Sequence, residues 1–172
     1  YRRNADASRG LRTMSTPIDT VVIRHPREML SKCSLTPVQD RPDTIDWLKF
    51  YTARQELRFD ANGYTELAVD APPLSEADAG RPFLLLDATW RLLPKVRTKV
   101  FGQTVRRSIP SHWVTAYPRV SKTMPDPAGG LASIEALFVA QAMLGHAMPS
   151  LLDGYYWKSQ FLALNSEHLD LT

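Results

Sequence analysis

The chain has 172 residues, a hydrophobic content of 44% and a net charge of +3, with four Trp, six Tyr and six Phe. This composition predicts one globular domain with a buried core and excludes an intrinsically disordered chain. No run of eighteen apolar residues occurs, so we expect no membrane-spanning helix. The single cysteine, Cys33, excludes an internal disulfide and a multi-cysteine zinc site.

The amino-terminal residues 1–13 are polar and contain no apolar signal segment. Four arginines lie there: Arg2, Arg3, Arg9 and Arg12. We expect residues 1–17 to form a flexible basic arm and residues 18–172 to form a single domain. These features favour a cytoplasmic location.

Positive charge is concentrated in residues 88–125, which contain eight basic residues and no acidic residue. These residues are Arg91, Lys95, Arg97, Lys99, Arg106, Arg107, Arg119 and Lys122. A basic segment in an otherwise mildly acidic chain is typical of a site for a polyanion such as RNA. A solvated charged face explains the same pattern equally well.

The first half of the chain contains short candidate elements. Residues 19–24 form a β-branched run that predicts a strand leading into a loop at a His-Pro pair. In residues 43–57 the spacing of Ile45, Leu48 and Tyr51 predicts a helix. Residues 57–59 and 64–69 flank an Asp-Ala-Asn-Gly turn and predict a β-hairpin.

The middle of the chain contains the clearest strand signal. Residues 83–87, Phe-Leu-Leu-Leu-Asp, are an apolar run that ends in one acid and predict a buried strand. Residues 90–96 begin a predicted helix that we expect Pro94 to shorten. Residues 113–117 predict another strand, closed by a proline.

The carboxyl-terminal part is predicted to be helical. Residues 133–147 predict a strong helix, and residues 155–164 predict a second one. The apolar face predicted for the first helix contains Ile134, Leu137, Phe138, Gln141 and Leu144. Strands that alternate with helices indicate an α/β domain with a largely parallel sheet.

Ligands of open α/β sheets bind beyond the carboxyl ends of the strands, where this chain has three unusual loops. They are residues 25–37, residues 87–90, and the segment after Tyr117 that leads through a Gly-Gly pair to Ser133. The helix start at Ser133 offers N–H groups for an anion, although the motif alone favours a helix cap without a ligand at Ser133.

Asp87 and Trp90 each have two interpretations. Asp87 at the end of an apolar strand is placed for a ligand-binding or base role, or it caps the following turn. Trp90 either walls an apolar pocket or belongs to the core. The four histidines are scattered without metal-ligand spacing, and no Gly-x-Ser-x-Gly motif occurs, so we expect no metal and no serine triad. A thiol activated by Lys32 is less favoured for Cys33 than a buried structural role.

Four segments of the chain resemble motifs of the ribosomal-RNA aminocarboxypropyltransferase family, and the first two of them are residues 25–37 and 72–90. HPREMLSKCSLTP (residues 25–37) is similar to its DPKKCSG-type loop, in a longer version. LSEAD (residues 74–78) is similar to its SPAD element. LLDATW (residues 85–90) is similar to its IDCSW strand end and to the signature of the related DTW-domain tRNA enzymes.

The resemblance continues through the second half of the chain. RSIP (residues 107–110), VTAYP (residues 114–118) and ASIEAL (residues 132–137) are similar to the R-x-LP, VAANPVNYG and SxxEAL segments. YWKSQFLALN (residues 156–165) with Leu169 and Asp170 is similar to KWGxxFLxLN…LLD. The order matches over nearly the whole chain, although residues 117–122 depart from NPVNYG. A single cysteine favours the rRNA branch over the DTW branch.

The resemblance implies a SPOUT-like α/β fold with a largely parallel sheet, helices on both faces and a carboxyl-terminal trefoil knot. It also implies a monomer that uses S-adenosylmethionine as co-substrate and needs no metal. The implied cofactor-binding residues are Ser34, Thr36, Pro72, Leu86, Trp90, Ile109, Pro110 and Ser133. Among these, Ser34, Thr36 and Ser133 are expected to hold the amino-acid end, and the others to enclose the adenosine and the methyl group.

The implied reaction transfers the 3-amino-3-carboxypropyl group to N3 of a uridine or pseudouridine in small-subunit rRNA, in ribosome biogenesis. Asp87 is the candidate base, and the basic residues of the segment 88–125 are the candidate RNA-binding residues. Two alternatives remain open. One is a SPOUT-type RNA methyltransferase, and the other is a non-catalytic RNA-binding ribosome-assembly factor.

Overall fold

The computed structural model describes residues 16–118 and 130–169 and contains a five-stranded sheet in which every pair of neighbouring strands is parallel. The strands in spatial order are β2 (Leu48–Thr52), β1 (Thr20–Arg24), β5 (Phe83–Asp87), β4 (Thr65–Leu67) and β7 (Val105–Arg107). A second, two-stranded parallel sheet pairs β3 (Phe59–Asp60) with β6 (Val100–Phe101). The α/β prediction with a largely parallel sheet is confirmed.

Helices follow the strands. They are α1 (Leu93–Arg97), α2 (Ser133–Met143), α3 (Lys158–Leu164) and α4 (Ser166–Leu169), with 3-10 turns at Thr36–Val38, Glu76–Asp78 and Pro149–Leu152. Within the described residues, no helix has the length and apolar character needed to cross a bilayer.

Side chains of β1 alternate between two apolar clusters, one on each face of the sheet. Val22 packs with residues of α2 and α3, whereas Val21 and Ile23 pack with Val96 of α1 and Val100 of β6. This alternation follows from the two-residue repeat of a strand. It explains why the central strands are uniformly apolar, and it places helices on both faces.

Helix α2 is buried on all sides rather than along one face. Its buried residues are Ile134, Glu135, Leu137, Phe138, Val139, Ala140, Gln141 and Ala142. Gln141 serves as an anchor for the start of β1, since its amide accepts a hydrogen bond from the Ile18 N–H (2.9 Å) and donates one to the Ile18 carbonyl (2.8 Å). The helix ends at Met143, before the predicted residue 147, because Gly145 turns the chain at φ 84°.

The predicted helix over residues 43–57 is wrong, because this segment forms a turn followed by β2. Leu48 packs into the core on one face of the sheet, while Lys49 pairs in register with Val21 on β1. An apolar spacing of three residues is compatible with either element at this length. Pairing with β1 decides the outcome.

The predicted hairpin is also wrong, although its turn exists. Gly63 has φ 80° and the Tyr64 N–H bonds to the Ala61 carbonyl at 3.1 Å. The turn connects the two sheets, because β3 pairs with β6 and β4 pairs with β5 and β7.

Two further boundaries differ from the prediction. Pro94 lies in the first turn of α1 and therefore begins the helix rather than shortening it.

The predicted strand at residues 113–117 is not a strand. Its Val114 N–H and carbonyl bond to the Asn165 side-chain amide at 2.8 Å each, so a side chain replaces the neighbouring strand.

Candidate active site at the carboxyl edge of the sheet

The parallel register brings Arg24 at the end of β1 directly opposite Asp87 at the end of β5. Both residues are buried, at 7% and 6% exposure. Arg24 Nε donates a hydrogen bond to Asp87 Oδ2 at 2.7 Å. The guanidinium therefore compensates a buried carboxylate. The residue that precedes α1 is Leu92.

The remaining contacts of Arg24 fix its orientation. Its terminal nitrogens donate to Gln39 Oε1 at 2.8 Å and to Cys33 Sγ at 3.2 Å. Its guanidinium carbon lies 5.0 Å from the centre of the Phe50 ring. This set of hydrogen bonds and the stacking hold the first loop, residues 25–39, against the strand ends.

Cys33 belongs to the same network and is a hydrogen-bond donor rather than a nucleophile. Its S–H donates to Asp87 Oδ2 at 3.2 Å. Burial, followed by the charge of Asp87, raises the pKa of the thiol to about 11. The thiol is therefore protonated at neutral pH, which confirms the structural role favoured from the sequence.

The pKa values of two other groups in the first loop are shifted. Burial, followed by the charge of Asp87, raises the pKa of Glu28. Burial, followed by Arg27 and Lys95, lowers the pKa of His25. Lys95, on helix α1, is therefore one of the charges that act on the first loop.

Helix α2 presents its amino terminus to this edge. Ser133 is its first residue, and the cap position belongs to Ala132, so the cap interpretation of Ser133 is wrong. The Ser133 hydroxyl lies 3.4 Å from Asp87 Oδ1, and the Ile134 N–H donates to Ser34 Oγ at 3.2 Å. The first loop therefore caps α2 from a distance of 100 residues in the sequence.

Glu135, fully buried in the first turn of α2, organises the neighbouring loops. Its carboxylate accepts hydrogen bonds from the Ala132 and Ala116 N–H groups at 2.8 and 3.0 Å. It also accepts from the hydroxyls of Thr115 and Tyr155 at 2.6 and 3.0 Å. One side chain thus ties the helix start to the segment 113–117.

The predicted cofactor-binding residues fall on two neighbouring parts of the edge. Ser34 and Ser133 meet around Asp87, whereas the Thr36 hydroxyl donates to the Leu30 carbonyl within its own loop. Trp90 is half-buried just beyond β5. The side chain of Leu86 packs in the cluster on the α1 side, away from the α2 face.

Pro72, Ile109 and Pro110 lie beside β4 and β7. The Pro72 carbonyl accepts a hydrogen bond from the Ser108 N–H at 2.8 Å, which joins the two segments. Ile109 is half-buried against the α2-side core, and the Pro110 carbonyl accepts from the Trp113 N–H at 3.2 Å. Because β4 is next to β5, this second group borders the first along the same sheet.

Several of the basic residues predicted to bind RNA have acidic partners inside the protein. Arg97 and Arg106 pair with the buried Glu66 at 3.5 and 3.8 Å, and Arg106 also pairs with Asp70 at 2.7 Å. Arg107 Nε donates to both oxygens of Asp78, at 2.9 and 2.8 Å.

The other basic residues divide into three kinds. Lys99 donates to the Gln55 carbonyl at 3.1 Å. Arg91 and Lys95 are exposed, and the ion pairs found within residues 16–118 and 130–169 do not include them. Arg119 and Lys122 lie outside the described residues. Arg91 and Lys95 are therefore the charges best placed to meet a polyanion.

Sequence reasoning missed Arg24 and the anchoring role of Glu135. A charged residue at the end of a β-branched strand was the available signal for Arg24. Among the described residues, no cluster of His, Cys, Asp and Glu is arranged to hold a metal ion.

The fold is similar to the solved structure of the SAM-dependent rRNA:acp-transferase Tsr3 from Vulcanisaeta distributa. The TM-score is 0.61 with 22% sequence identity, over 89% of this chain and 82% of that chain. Neither a protein-family model nor a curated protein matches the sequence. At this identity the similarity establishes a shared fold.

Proposed function

We propose that this protein binds S-adenosylmethionine at the carboxyl edge of its sheet and transfers the 3-amino-3-carboxypropyl group to N3 of a uridine or pseudouridine in small-subunit rRNA. The observation that carries the proposal is the meeting of Ser34, Asp87 and Ser133 at the start of α2, in a fold shared with an rRNA aminocarboxypropyltransferase. The four motif segments of the sequence support the same assignment.

The chemistry of the edge fits this co-substrate. The carboxylate of the ligand is favoured by the positive dipole end of the eleven-residue helix α2, where the Ser34 hydroxyl now accepts from the Ile134 N–H. Its ammonium group requires acceptors, which the serine hydroxyls supply. Trp90, half-buried beside the edge, is the apolar group for the methyl substituent.

S-adenosylmethionine supplies a sulfonium with three carbons open to attack, and the geometry of binding selects one of them. Attack of N3 on the γ-carbon of the methionine part forms the N–C bond, breaks the C–S bond and releases methylthioadenosine, while N3 loses its proton. Asp87 Oδ2 accepts hydrogen bonds from Arg24 and Cys33, and Oδ1 lies 3.4 Å from the Ser133 hydroxyl at the start of α2. We assign to Oδ1 the role of accepting or orienting the N3 proton of the base. Arg24 keeps the carboxylate in place during that step.

Of the basic residues proposed to bind RNA, Arg91 and Lys95 are the nearest to Asp87 in the sequence. Their phosphate contacts would position the substrate base beside Asp87. The SPOUT-like class, the trefoil knot, the monomeric state and the cytoplasmic location are proposed on the sequence resemblance alone.

Calorimetric titration with S-adenosylmethionine tests the binding step. We expect saturable binding, and we expect Trp90→Ala to weaken it at least about tenfold, whereas Tyr156→Ala, at an aromatic residue that is 85% exposed, leaves it unchanged. Absence of binding would favour the non-catalytic assembly factor.

Asp87→Asn tests the catalytic step. We expect product formation, which mass spectrometry of the RNA measures, to fall while the co-substrate still binds. Full turnover at normal affinity would rule out the base role, and a methyl adduct in the wild-type product would favour a methyltransferase.

A further inference from the structure

An open groove with aromatic walls lies on the face of the sheet that packs against α1, at the edge formed by β2. Its main lining residues are Asp19, Asp46, Lys49, Tyr51, Phe59 and Tyr64. Neither the proposed cofactor site nor the basic segment uses these residues.

The parallel register explains how the groove forms. Lys49 and Tyr51 on β2 are in register with Val21 and Ile23 on β1, so their side chains share the α1 face of the sheet. Phe59 of the small sheet lies above them, with its ring centre 5.9 Å from that of Tyr51.

The aromatic rings form a corner rather than a closed stack. Phe59 and Tyr64 have ring centres 5.4 Å apart at 78°, while Phe59 and Tyr51 are tilted by 41°. Tyr51 is 45% exposed. The exposed ring of Tyr51 beside the tilted ring of Phe59 is a surface that attracts cations.

The charges of the groove are predominantly negative. Asp19 and Asp46 precede the amino ends of the paired strands β1 and β2, and the ion pairs found within the described part of the chain include neither of them. Lys49 is the basic group that lines the groove, and its Nζ donates to the Ile45 carbonyl. Burial, followed by Asp19 and Tyr51, raises the pKa of Tyr64, which agrees with a carboxylate facing that hydroxyl.

We propose that this groove binds an arginine side chain from a basic segment of a partner protein. A planar guanidinium stacks on tyrosine while its N–H groups reach carboxylates, a combination that a phosphate or a neutral side chain lacks. The same protein uses guanidinium stacking twice, at Arg24 over Phe50 and at Arg58 over Phe101, the latter at 5.6 Å.

The position of the groove fits a docking role. Asp19 and Asp46 mark the amino ends of the strands, opposite the edge that contains Asp87. A bound partner would therefore leave the proposed cofactor site accessible. The two carboxylates disfavour the alternative of a nucleic acid at this place.

The test is an amide NMR titration of the 172-residue chain with the peptide N-acetyl-Gly-Arg-Gly-amide. We expect saturable shifts confined to residues 19–21, 46–51 and 59–64. The citrulline peptide, which keeps the shape and lacks the charge, should bind at least about tenfold more weakly, and the lysine peptide about threefold more weakly.

Variants assign the contacts. Asp46→Asn and Tyr51→Leu should each weaken binding about two- to fivefold, whereas Tyr156→Leu, an aromatic residue that is 85% exposed elsewhere, should not. Both groove residues are exposed, so the amide spectrum of each variant should remain that of the folded chain.

Four results would overturn the proposal. They are an absence of shifts, equal binding of the citrulline peptide, displacement of the arginine peptide by an oligouridylate, and shifts of the groove without peptide when Arg2, Arg3, Arg9 and Arg12 are replaced by glutamine. The last result would assign the groove to the basic amino-terminal segment of the chain itself.

Discussion

Arg24 and Asp87 are register partners on neighbouring parallel strands, and their side chains form a buried ion pair of 2.7 Å at the carboxyl edge of the sheet. The pair links the first loop to the strand that precedes Trp90. A buried charge pair is costly to break because the remaining charge loses its partner and has no access to water. The stability of the domain and the geometry of the proposed site therefore depend on the same contact.

Arg24→Gln should reduce the free energy of unfolding by about 3–5 kcal/mol, because it leaves the Asp87 carboxylate buried without a counter-charge. Urea denaturation measures the change. The double variant Arg24→Gln with Asp87→Asn should recover part of the loss. As a matched control, Lys158→Gln removes an exposed partner of Asp153 and should cost less than about 1 kcal/mol. Equal effects of Arg24→Gln and Lys158→Gln would contradict this account.

Glu135→Gln should destabilise the domain by about 1–3 kcal/mol, because the amide NH₂ group would face hydrogen-bond donors that the carboxylate now satisfies. Hydrogen exchange at the Ala116 and Ala132 N–H groups should accelerate. Glu56→Gln at an exposed position should change neither quantity. Unchanged exchange at Ala116 would mean that Glu135 does not hold the segment 113–117.

Asp78 should make stability depend on pH in the acid range. Burial opposes its ionisation, but the hydrogen bonds from Arg107 and the Ser75 N–H outweigh burial and lower its pKa below the ordinary value of 3.8. A carboxyl group whose pKa is lower in the folded state stabilises fully above its unfolded pKa and loses that contribution as the pH falls.

The unfolding free energies of wild type and Asp78→Asn should therefore differ most above about pH 4 and converge as the pH falls below that value. Urea unfolding at a series of pH values measures the difference. A gap that stays constant across this range would show that ionised Asp78 adds no stability.

Arg91→Gln combined with Lys95→Gln should weaken binding to small-subunit RNA and lower the slope of log K against log salt by about 1–2, since each contact releases counterions. Both side chains are exposed, so the unfolding free energy should change by less than about 0.5 kcal/mol. Arg107→Gln should instead destabilise the fold, because the buried Asp78 loses the Arg107 Nε–H that both of its oxygens share. An unchanged salt slope in the double variant would exclude α1 from the RNA surface.

The strands that the sequence predicted correctly are β1 and β5, because β1 is buried throughout, β5 is buried at all but Leu86, and their apolar character does not depend on the choice of neighbour. The strand prediction for residues 113–117 is wrong for the opposite reason. Its extended pattern resembles a strand, but its backbone groups bond to the Asn165 and Glu135 side chains. Such long-range side-chain partners leave no local sequence pattern.

The candidate site was predictable in part. Asp87 was predicted because it ends a clear strand, and Ser133 because it begins a clear helix. The structure places the Ser133 hydroxyl 3.4 Å from Asp87 Oδ1. Arg24 was not predicted because its partner lies 63 residues away, and only the strand register brings the two together. The groove at Tyr51 was hidden because residues 43–57 were assigned to a helix.

The central claim is tested most directly by incubating unmodified small-subunit RNA with two preparations of S-adenosylmethionine, one labelled in the carboxyl carbon and one in the methyl group. Transfer of the aminocarboxypropyl group predicts that only the carboxyl label reaches the RNA, and that Asp87→Asn reduces its incorporation. Incorporation of the methyl label, or of neither label in a protein that binds the RNA, would contradict the proposed function.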